Sequence, residues 1–254
     1  MSNEGFRAQP GQLSELFHTV SLWIYEHYTH RLLTDGFLWW ADRIPGYAQA
    51  ITNQTGVPWK CFGFLDGTDR AMSRPKELQR GFYSGHKRNH CLTYLTVTAP
   101  DGMLLFTAGP TNGAHQDNYL LHESGLATEL LPAVHRRLGE VYCVYGDPIF
   151  ARSIYVQKGY PEVEINWRQR AFNKAMNSSR VSIEQCFGTV SKQWAFLAFT
   201  RTQKLWHTRP GLAYMNAQFL ANCRNCLRPN QISQKFECAP PSLREYLRAD
   251  EINW

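Results

Sequence analysis

Three carboxylates in this chain occupy positions from which they could bind a metal ion. Asp66 directly follows the apolar run of residues 61–65, and Asp147 follows a second apolar run, residues 141–145, after one glycine. Glu184 lies within a long segment of helical periodicity. Strand ends and the middle of a helix can meet at one edge of a sheet, and ligands that are all oxygen suit Mg²⁺ or Mn²⁺ better than zinc. The pattern therefore favours a nuclease-like metal site.

Basic residues near these acids could contact a phosphate backbone. Arg180 precedes Glu184 by four residues, so both lie on one face of the predicted helix, and the guanidinium could orient the carboxylate or bind a phosphate. Lys87 and Arg88, within the stretch GHKRNH, could contact DNA phosphates. Two alternatives stay open: a plain helical ion pair for Arg180 and solvated surface charge for the other two residues.

Asp66 belongs to the tripeptide Asp-Gly-Thr, which also occurs in the aspartyl phosphatases. That family carries another aspartate two positions earlier, where this chain has Phe64. It also carries a further acid shortly after Gly-Asp, whereas Gly146 and Asp147 are followed by PIFA. A turn without chemistry is a further alternative, because Asp-Gly is common in turns. The sequence favours the metal nuclease over the phosphatase.

Hydrophobic periodicity predicts the elements that must position these residues. Helices are predicted at residues 13–33, 37–53, 126–138 and 168–197. Strands are predicted at residues 61–65, 91–99, 103–108 and 141–145. The first three strands form a predicted antiparallel unit, and Asp66 is expected to end the first of them. Pro45 and Pro132 require a break or a new start within their helical segments.

The composition is that of a folded protein with a mild basic excess. Hydrophobic residues make up 43% of the chain, which is enough apolar surface for a sizeable core. No run approaches the roughly 18 apolar residues of a membrane span, and residues 1–12 lack the apolar block of a secretory signal. A soluble, intracellular protein is expected. The formal net charge of +6 favours a polyanionic partner such as nucleic acid, but weakly.

Cysteine spacing raises the question of a zinc site near the C-terminus. Cys223 and Cys226 are separated by two residues, with Cys238 and His207 as conceivable further ligands. No second pair of matching spacing accompanies them. The sequence therefore predicts reduced thiols packed at a C-terminal helix, and disulfides are not expected because the chain carries no secretory signal.

Motifs spread from about Leu13 to Leu247 resemble those of the Harbinger-type DDE transposases. They are FLDGT with Arg74-Pro75 following, YSGHKRNHCLTYLTVTAPDG, GPTNGAHQDNYLL, VYGDP and NSSRVSIEQCFGTV. The resemblance implies an α/β, RNase H-like fold in which a mixed sheet is flanked by helices. Residues 1–58 would form an N-terminal helical segment, and residues 59–254 would form the endonuclease domain.

The resemblance also implies an activity and a set of ligands. Asp66, Asp147 and Glu184 would form the catalytic triad and bind two Mg²⁺ or Mn²⁺ ions for DNA phosphodiester hydrolysis, with strand transfer as a further reaction. The element His115-Gln-Asp117 matches a His-x-Asp-type element of the family and is assigned no role.

Two departures from the family pattern bear on partners. Relatives usually carry a helix-turn-helix region upstream, whereas only about sixty residues precede Asp66 here. A separate helix-turn-helix or Myb-like protein is therefore expected to target the nuclease to DNA, and the family resemblance implies a nuclear location. Pro148 follows the second acid, where relatives carry a small residue, and leaves the carboxylate free. The alternative function is a domesticated or inactive relative that binds DNA or a protein without cutting.

Overall fold

The computed structural model describes residues 10–205 and 207–248, without the side chains of Pro10, Asp35, residues 182–187 and Thr189. The α-helices are α1 (Pro10–Tyr28), α2 (Thr34–Phe37), α3 (Ile44–Thr55), α4 (Gln79–Phe82), α5 (Asp117–Glu123), α6 (Leu131–Leu138), α7 (Trp167–Gln193), α8 (Pro210–Leu227), α9 (Gln231–Lys235) and α10 (Leu243–Leu247). The strands are β1 (Cys61–Ala71), β2 (Tyr83–Ser84), β3 (Asn89–Thr98), β4 (Leu104–Asn112), β5 (Cys143–Gly146) and β6 (Val156–Gln157). Within the described residues, no helix has the length and apolar character needed to cross a membrane.

The strands form a mixed sheet with β1 at its centre. β1 pairs antiparallel with β3 and parallel with β5. On one side β4 and the short β2 both pair antiparallel with β3, and on the other side β6 pairs parallel with β5. This mixed six-stranded sheet flanked by helices is the α/β, RNase H-like arrangement that the sequence predicts.

β1 pairs with its two neighbours over different lengths. Its pairing with β5 ends at Leu65, which lies opposite Gly146. Its pairing with β3 runs on from Phe64 to Ala71. The prediction that Asp66 ends this strand is therefore wrong. The strand continues because β3 supplies hydrogen-bond partners beyond the point where β5 stops.

Prolines mark where two of the predicted helices begin. Pro45 lies in the first turn of α3 and Pro132 in the first turn of α6, which follows a π-helical segment at Leu126–Leu130. Proline is tolerated there because the N–H groups of the first turn have no intrahelical acceptor. The long helix predicted at residues 168–197 is confirmed as α7, which ends at Gln193.

Large aromatic side chains are prominent in the buried core. Phe64 on β1 and Tyr145 on β5 are almost completely buried. The N-terminal helical segment contributes to the same core, since the ring of Phe37 lies 5.8 Å from that of Phe106 on β4. This part of the N-terminal segment therefore packs on the sheet, whereas α1 packs on α8. The division of the chain at residue 58 remains a prediction.

The cysteines near the C-terminus are free thiols. Cys223 and Cys226 lie on α8, and Cys238 follows α9. Burial raises the pKa of both Cys223 and Cys226 to about 12, so both thiols are protonated at neutral pH. Among the residues that the structure describes, no group of three or more His, Cys, Asp or Glu side chains is placed to hold a metal ion.

A buried aspartate fixes the turn between β3 and β4. The carboxylate of Asp101 accepts hydrogen bonds from the Tyr47 hydroxyl at 2.7 Å and from the Met103 backbone N–H at 2.9 Å. The guanidinium of Arg43 lies 3.9 Å from the same carboxylate. Burial nevertheless raises the pKa of Asp101 to about 6, because the cost of desolvating the charged form exceeds the gain from these contacts.

We predict that Asp101 makes stability depend on pH between about 4 and 6.5. In the unfolded chain the carboxyl ionises near its ordinary pKa of 3.8, but in the folded protein it ionises near 6. The folded state therefore holds the proton more tightly, and rising pH lowers the free energy of unfolding by roughly 2–3 kcal/mol. Urea unfolding of the wild type and of Asp101→Asn at both ends of this window measures the effect. As pH rises, the free energy of unfolding of the wild type should fall relative to that of Asp101→Asn. A difference in unfolding free energy that does not change with pH would contradict the raised pKa.

Candidate active site

A cavity of about 880 Å³ lies beside the end of the β1–β5 pair. Its walls carry four aspartates from three parts of the fold: Asp66 and Asp69 on β1, Asp147 after β5, and Asp117 at the start of α5. Lys87, in the turn between β2 and β3, lines the same cavity. The cavity thus brings two of the predicted acids together with one of the predicted phosphate contacts.

Asp66 and Asp147 lie side by side because β1 and β5 are parallel neighbours. In each acid, Oδ1 accepts a hydrogen bond from a nearby backbone N–H, that of Gly67 for Asp66 and that of Ile149 for Asp147, both at 3.0 Å. These local bonds restrict the rotation of each carboxylate. The second oxygen of each acid, Oδ2, is directed toward a common cationic group.

The guanidinium of Arg180 lies between these two carboxylates. Its Nη1 is 3.8 Å from Oδ2 of Asp66, and its Nη2 is 3.8 Å from Oδ2 of Asp147. The Arg180 side chain is 17% exposed, so water screens these charges incompletely. Side chains from β1, from the end of β5 and from α7 therefore converge, and the guanidinium offsets the repulsion between two adjacent carboxylates.

Contacts earlier in α7 hold Arg180 against the sheet. Asn173 exchanges two hydrogen bonds with the backbone of Tyr160, at 2.8 and 2.9 Å. One turn later, Oδ1 of Asn177 accepts a hydrogen bond from the Tyr145 hydroxyl at 2.8 Å. Asn173, Asn177 and Arg180 are spaced by four and then three residues, so they lie on one helical face. The two asparagines thus fix the rotation of the helix that presents the guanidinium.

The third predicted acid, Glu184, lies on α7 four residues after Arg180. Its side chain is outside the described residues. The structure therefore brings together Asp66, Asp147 and Arg180, and the participation of Glu184 remains a prediction from the sequence.

Asp117, to which the sequence assigned no role, lies directly against β1. A Cβ atom added at Gly67 would lie 2.5 Å from the carboxylate atoms of Asp117. Burial raises the pKa of Asp117, the negative charges of Asp69 and Asp147 raise it further, and Lys87 opposes the rise. Asp117 is therefore part of the same acidic site, which sequence reasoning missed.

The three predicted phosphate contacts occupy different places. Arg180 lies at the carboxylates, and Lys87 lies on the wall of the cavity. Arg88 follows in the same turn, is exposed, and lies outside the set of described residues that line the cavity. His115 also lines the cavity, with its Nδ1 2.9 Å from the Thr111 hydroxyl. Two of the three basic residues predicted to contact phosphate, Arg180 and Lys87, are therefore at the site itself.

The donor atoms at this edge of the sheet suit a hard divalent cation. Asp66 and Asp147 offer carboxylate oxygens, which Mg²⁺ and Mn²⁺ prefer in proteins. Their Oδ2 atoms contact the same guanidinium, so the two carboxylates converge. A divalent cation would compete with Arg180 for both. The two aspartates thus fit a metal site to which Glu184 is the predicted further ligand.

Comparison with known protein families gives a match over much of the chain. The family model of the DDE superfamily endonucleases matches residues 65–222, which begin on β1 and end on α8. The match covers more than half of the chain, and the chain belongs to this family. Asp66, Asp147 and Glu184 all fall within the matched span. A search of curated proteins and a search of solved structures returned no significant match.

We predict that Gly67→Ala destabilises the protein by about 1 kcal/mol, because the added methyl group forces the carboxylate of Asp117 to turn away from its present position. Gly85→Ala is the matched control, since a Cβ there meets nothing within 4 Å. Chemical unfolding of each variant measures the cost. In an Asp117→Ala background the Gly67→Ala substitution should cost less, because the two positions are in contact. Equal costs in both backgrounds would show that Asp117 is not packed against Gly67.

Proposed function

We propose that this chain is a Harbinger-type nuclease that cleaves DNA with divalent metal ions held by Asp66, Asp147 and Glu184. The observation that supports the proposal best is the convergence of Asp66 and Asp147 on one guanidinium at the edge of parallel strands. This pair lies within the span that matches the DDE superfamily endonucleases. Clustered carboxylates are the ligands that two-metal phosphoryl chemistry uses.

In this proposal the acids bind metal and Arg180 changes partner. A bound pair of Mg²⁺ or Mn²⁺ ions would supply an activated water and a stabilised 3′ leaving oxygen. Asp66 and Asp147 are already oriented by their backbone hydrogen bonds, so little rearrangement is needed to bind a cation. With the metal bound, Arg180 would no longer be needed to neutralise the carboxylates, and its guanidinium could donate hydrogen bonds to an oxygen of the DNA backbone.

The basic turn between β2 and β3 is the proposed contact to the DNA strand. Lys87 lines the cavity that contains the acids, and Arg88 extends the positive charge along the same turn. Lysine and arginine contacts of this kind position a duplex without reading its sequence. The nuclease is therefore expected to hold the scissile phosphate near the acids by backbone contacts.

We further propose that a separate helix-turn-helix or Myb-like protein supplies the sequence specificity, in the nucleus. The later part of the helical segment, close before β1, is used for packing: Trp40 and Ile44 are almost fully buried in the core. A recognition helix would instead present arginine, asparagine or glutamine to base edges. The segment is thus better suited to supporting the sheet than to reading DNA.

Substitution of each proposed metal ligand should abolish cleavage. We expect Mg²⁺-dependent nicking of plasmid DNA to slow by at least about 100-fold in each of the variants Asp66→Asn, Asp147→Asn and Glu184→Gln. Each substitution removes a metal ligand and therefore weakens the stabilisation of the transition state by the metal ions. Asp42→Asn is the control, since Asp42 pairs with Arg137 on the surface and does not line the cavity.

The same assay separates the competing functions. Nicking that persists in excess chelator, or that survives all three substitutions, would contradict the metal mechanism. A folded wild-type protein that binds DNA but does not cut it would instead support a domesticated relative that acts by binding.

The chain alone should bind DNA with little sequence preference. Its affinity is expected to fall with salt by a log–log slope of about 0.9 per phosphate contacted, and Lys87→Ala should reduce this slope by about 1. Lys60→Ala is the control, because Lys60 pairs with Glu140 at 2.7 Å and does not line the cavity. Fluorescence anisotropy with unrelated duplexes measures both effects. Selection of a strong consensus from randomised DNA by this chain alone would contradict the two-component proposal.

A further inference from the structure

The first half of α1 exposes apolar side chains that nothing in the described chain covers fully. Residues 11–20 are all exposed, although they include four large apolar side chains. The exposed fractions of these residues, and of Trp23 further along α1, are Leu13 51%, Leu16 55%, Phe17 50%, Val20 46% and Trp23 47%. A helix in water is stabilised mainly by packing an apolar face. An exposed face of this kind therefore indicates a site of association.

The remainder of α1 is already fixed to the protein. The ring of Tyr28 stacks on that of Phe219 on α8, with the centroids 5.2 Å apart. The Asn216 side chain, also on α8, donates a hydrogen bond to the carbonyl of Ser21 at 2.6 Å. These contacts hold α1 in place through its second half. The exposed apolar residues of the first half are thus presented on an anchored helix.

An apolar groove of about 480 Å³ runs beside this exposed part of α1. Leu16 and Val20 line one side of the groove, and Trp194 and Leu197 line another. Helix α8 also lines the groove, and its small Ala217 side chain leaves space between the larger side chains of the groove. The concave surface can therefore receive apolar side chains from a second helix.

The spacing of the exposed residues is that of a helix-pairing seam. Leu13, Leu16, Val20 and Trp23 are separated by three, four and three residues, which are the a and d positions of a heptad repeat. The midpoint of this seam is position 18, so two antiparallel copies of α1 crossing there would bring Leu16 of one copy near Val20 of the other and Leu13 near Trp23. The pattern is self-complementary, as a twofold interface requires.

We propose that this face of α1, with the groove beside it, is an interface between two copies of the chain. Each of the five half-exposed side chains has roughly 100 Å² of accessible surface that a partner could bury. Two copies that associate through these side chains would therefore bury roughly 1,000 Å² in total. This area is near the lower limit for a specific interface, and the walls of the groove add to it. A dimer with a dissociation constant on the order of micromolar is expected.

Sedimentation velocity on the full chain from about 1 to 100 µM tests the proposal, because this range brackets the expected dissociation constant. The wild type should pass from monomer to dimer, and Leu16→Glu and Val20→Glu should remain monomeric because each buries a charge in the interface. Val163→Glu is the matched control, since Val163 is 80% exposed and lies away from the groove; it should dimerise like the wild type. Circular dichroism and thermal melting should show that all three variants are folded.

Two outcomes would overturn the proposal. A wild-type protein that stays monomeric at the highest concentration would show that the face serves another occupant, such as a partner's helix or a further segment of a longer chain. A dimer that both Leu16→Glu and Val20→Glu leave unchanged would place the interface elsewhere. Cleavage activity is not measured in this test, so its result is independent of the proposed nuclease function.

Discussion

The parallel pairing of β1 with β5 is the constraint on which the candidate site depends. Leu65 lies opposite Gly146 in this pair, and the next residue along the chain after each of them is an aspartate. Adjacent parallel strands are about 4.8 Å apart, and the two carboxylates must therefore be neighbours. A shift of one residue would turn one acid toward the opposite face of the sheet. The chemistry proposed for this protein thus depends on strand register before it depends on any contact between side chains.

Placing like charges together has an energetic cost that the fold offsets locally. Arg180 lies 3.8 Å from both Asp66 and Asp147, while Lys87 opposes the raised pKa of Asp117. The site proposed to bind metal is therefore already balanced by cationic side chains of the protein itself. Because the guanidinium and a divalent ion would compete for the same oxygens, the same arginine that stabilises the folded apoprotein would also weaken its affinity for metal.

The sequence predicted the elements whose signals are local, and it missed those set by long-range packing. Asp66 and Asp147 could be placed next to the buried strands because each follows an apolar run, although only the β1–β5 pairing ends at Asp66 and β1 itself continues. The extension of β1 past Asp66 was missed because residues 66–71 are largely polar and have β3 as partner on one side. The approach of Asp117 to Gly67 depends on the path of the chain from β4 to α5, which no periodicity specifies. The signal for Asp117 that the sequence did contain was an acidic residue at the start of a helix, after a glycine-containing loop.

Manganese binding tests the central claim most directly, because it requires neither DNA nor turnover. Free Mn²⁺ can be followed by electron paramagnetic resonance during titration of the full chain. We expect saturable binding that Asp66→Asn and Asp147→Asn each abolish, and that Arg180→Gln strengthens because the competing guanidinium is removed. Asp42→Asn, a change on the exposed surface, should bind like the wild type. Equal binding by the wild type and by both site variants would contradict a metal site built on the register of β1 and β5.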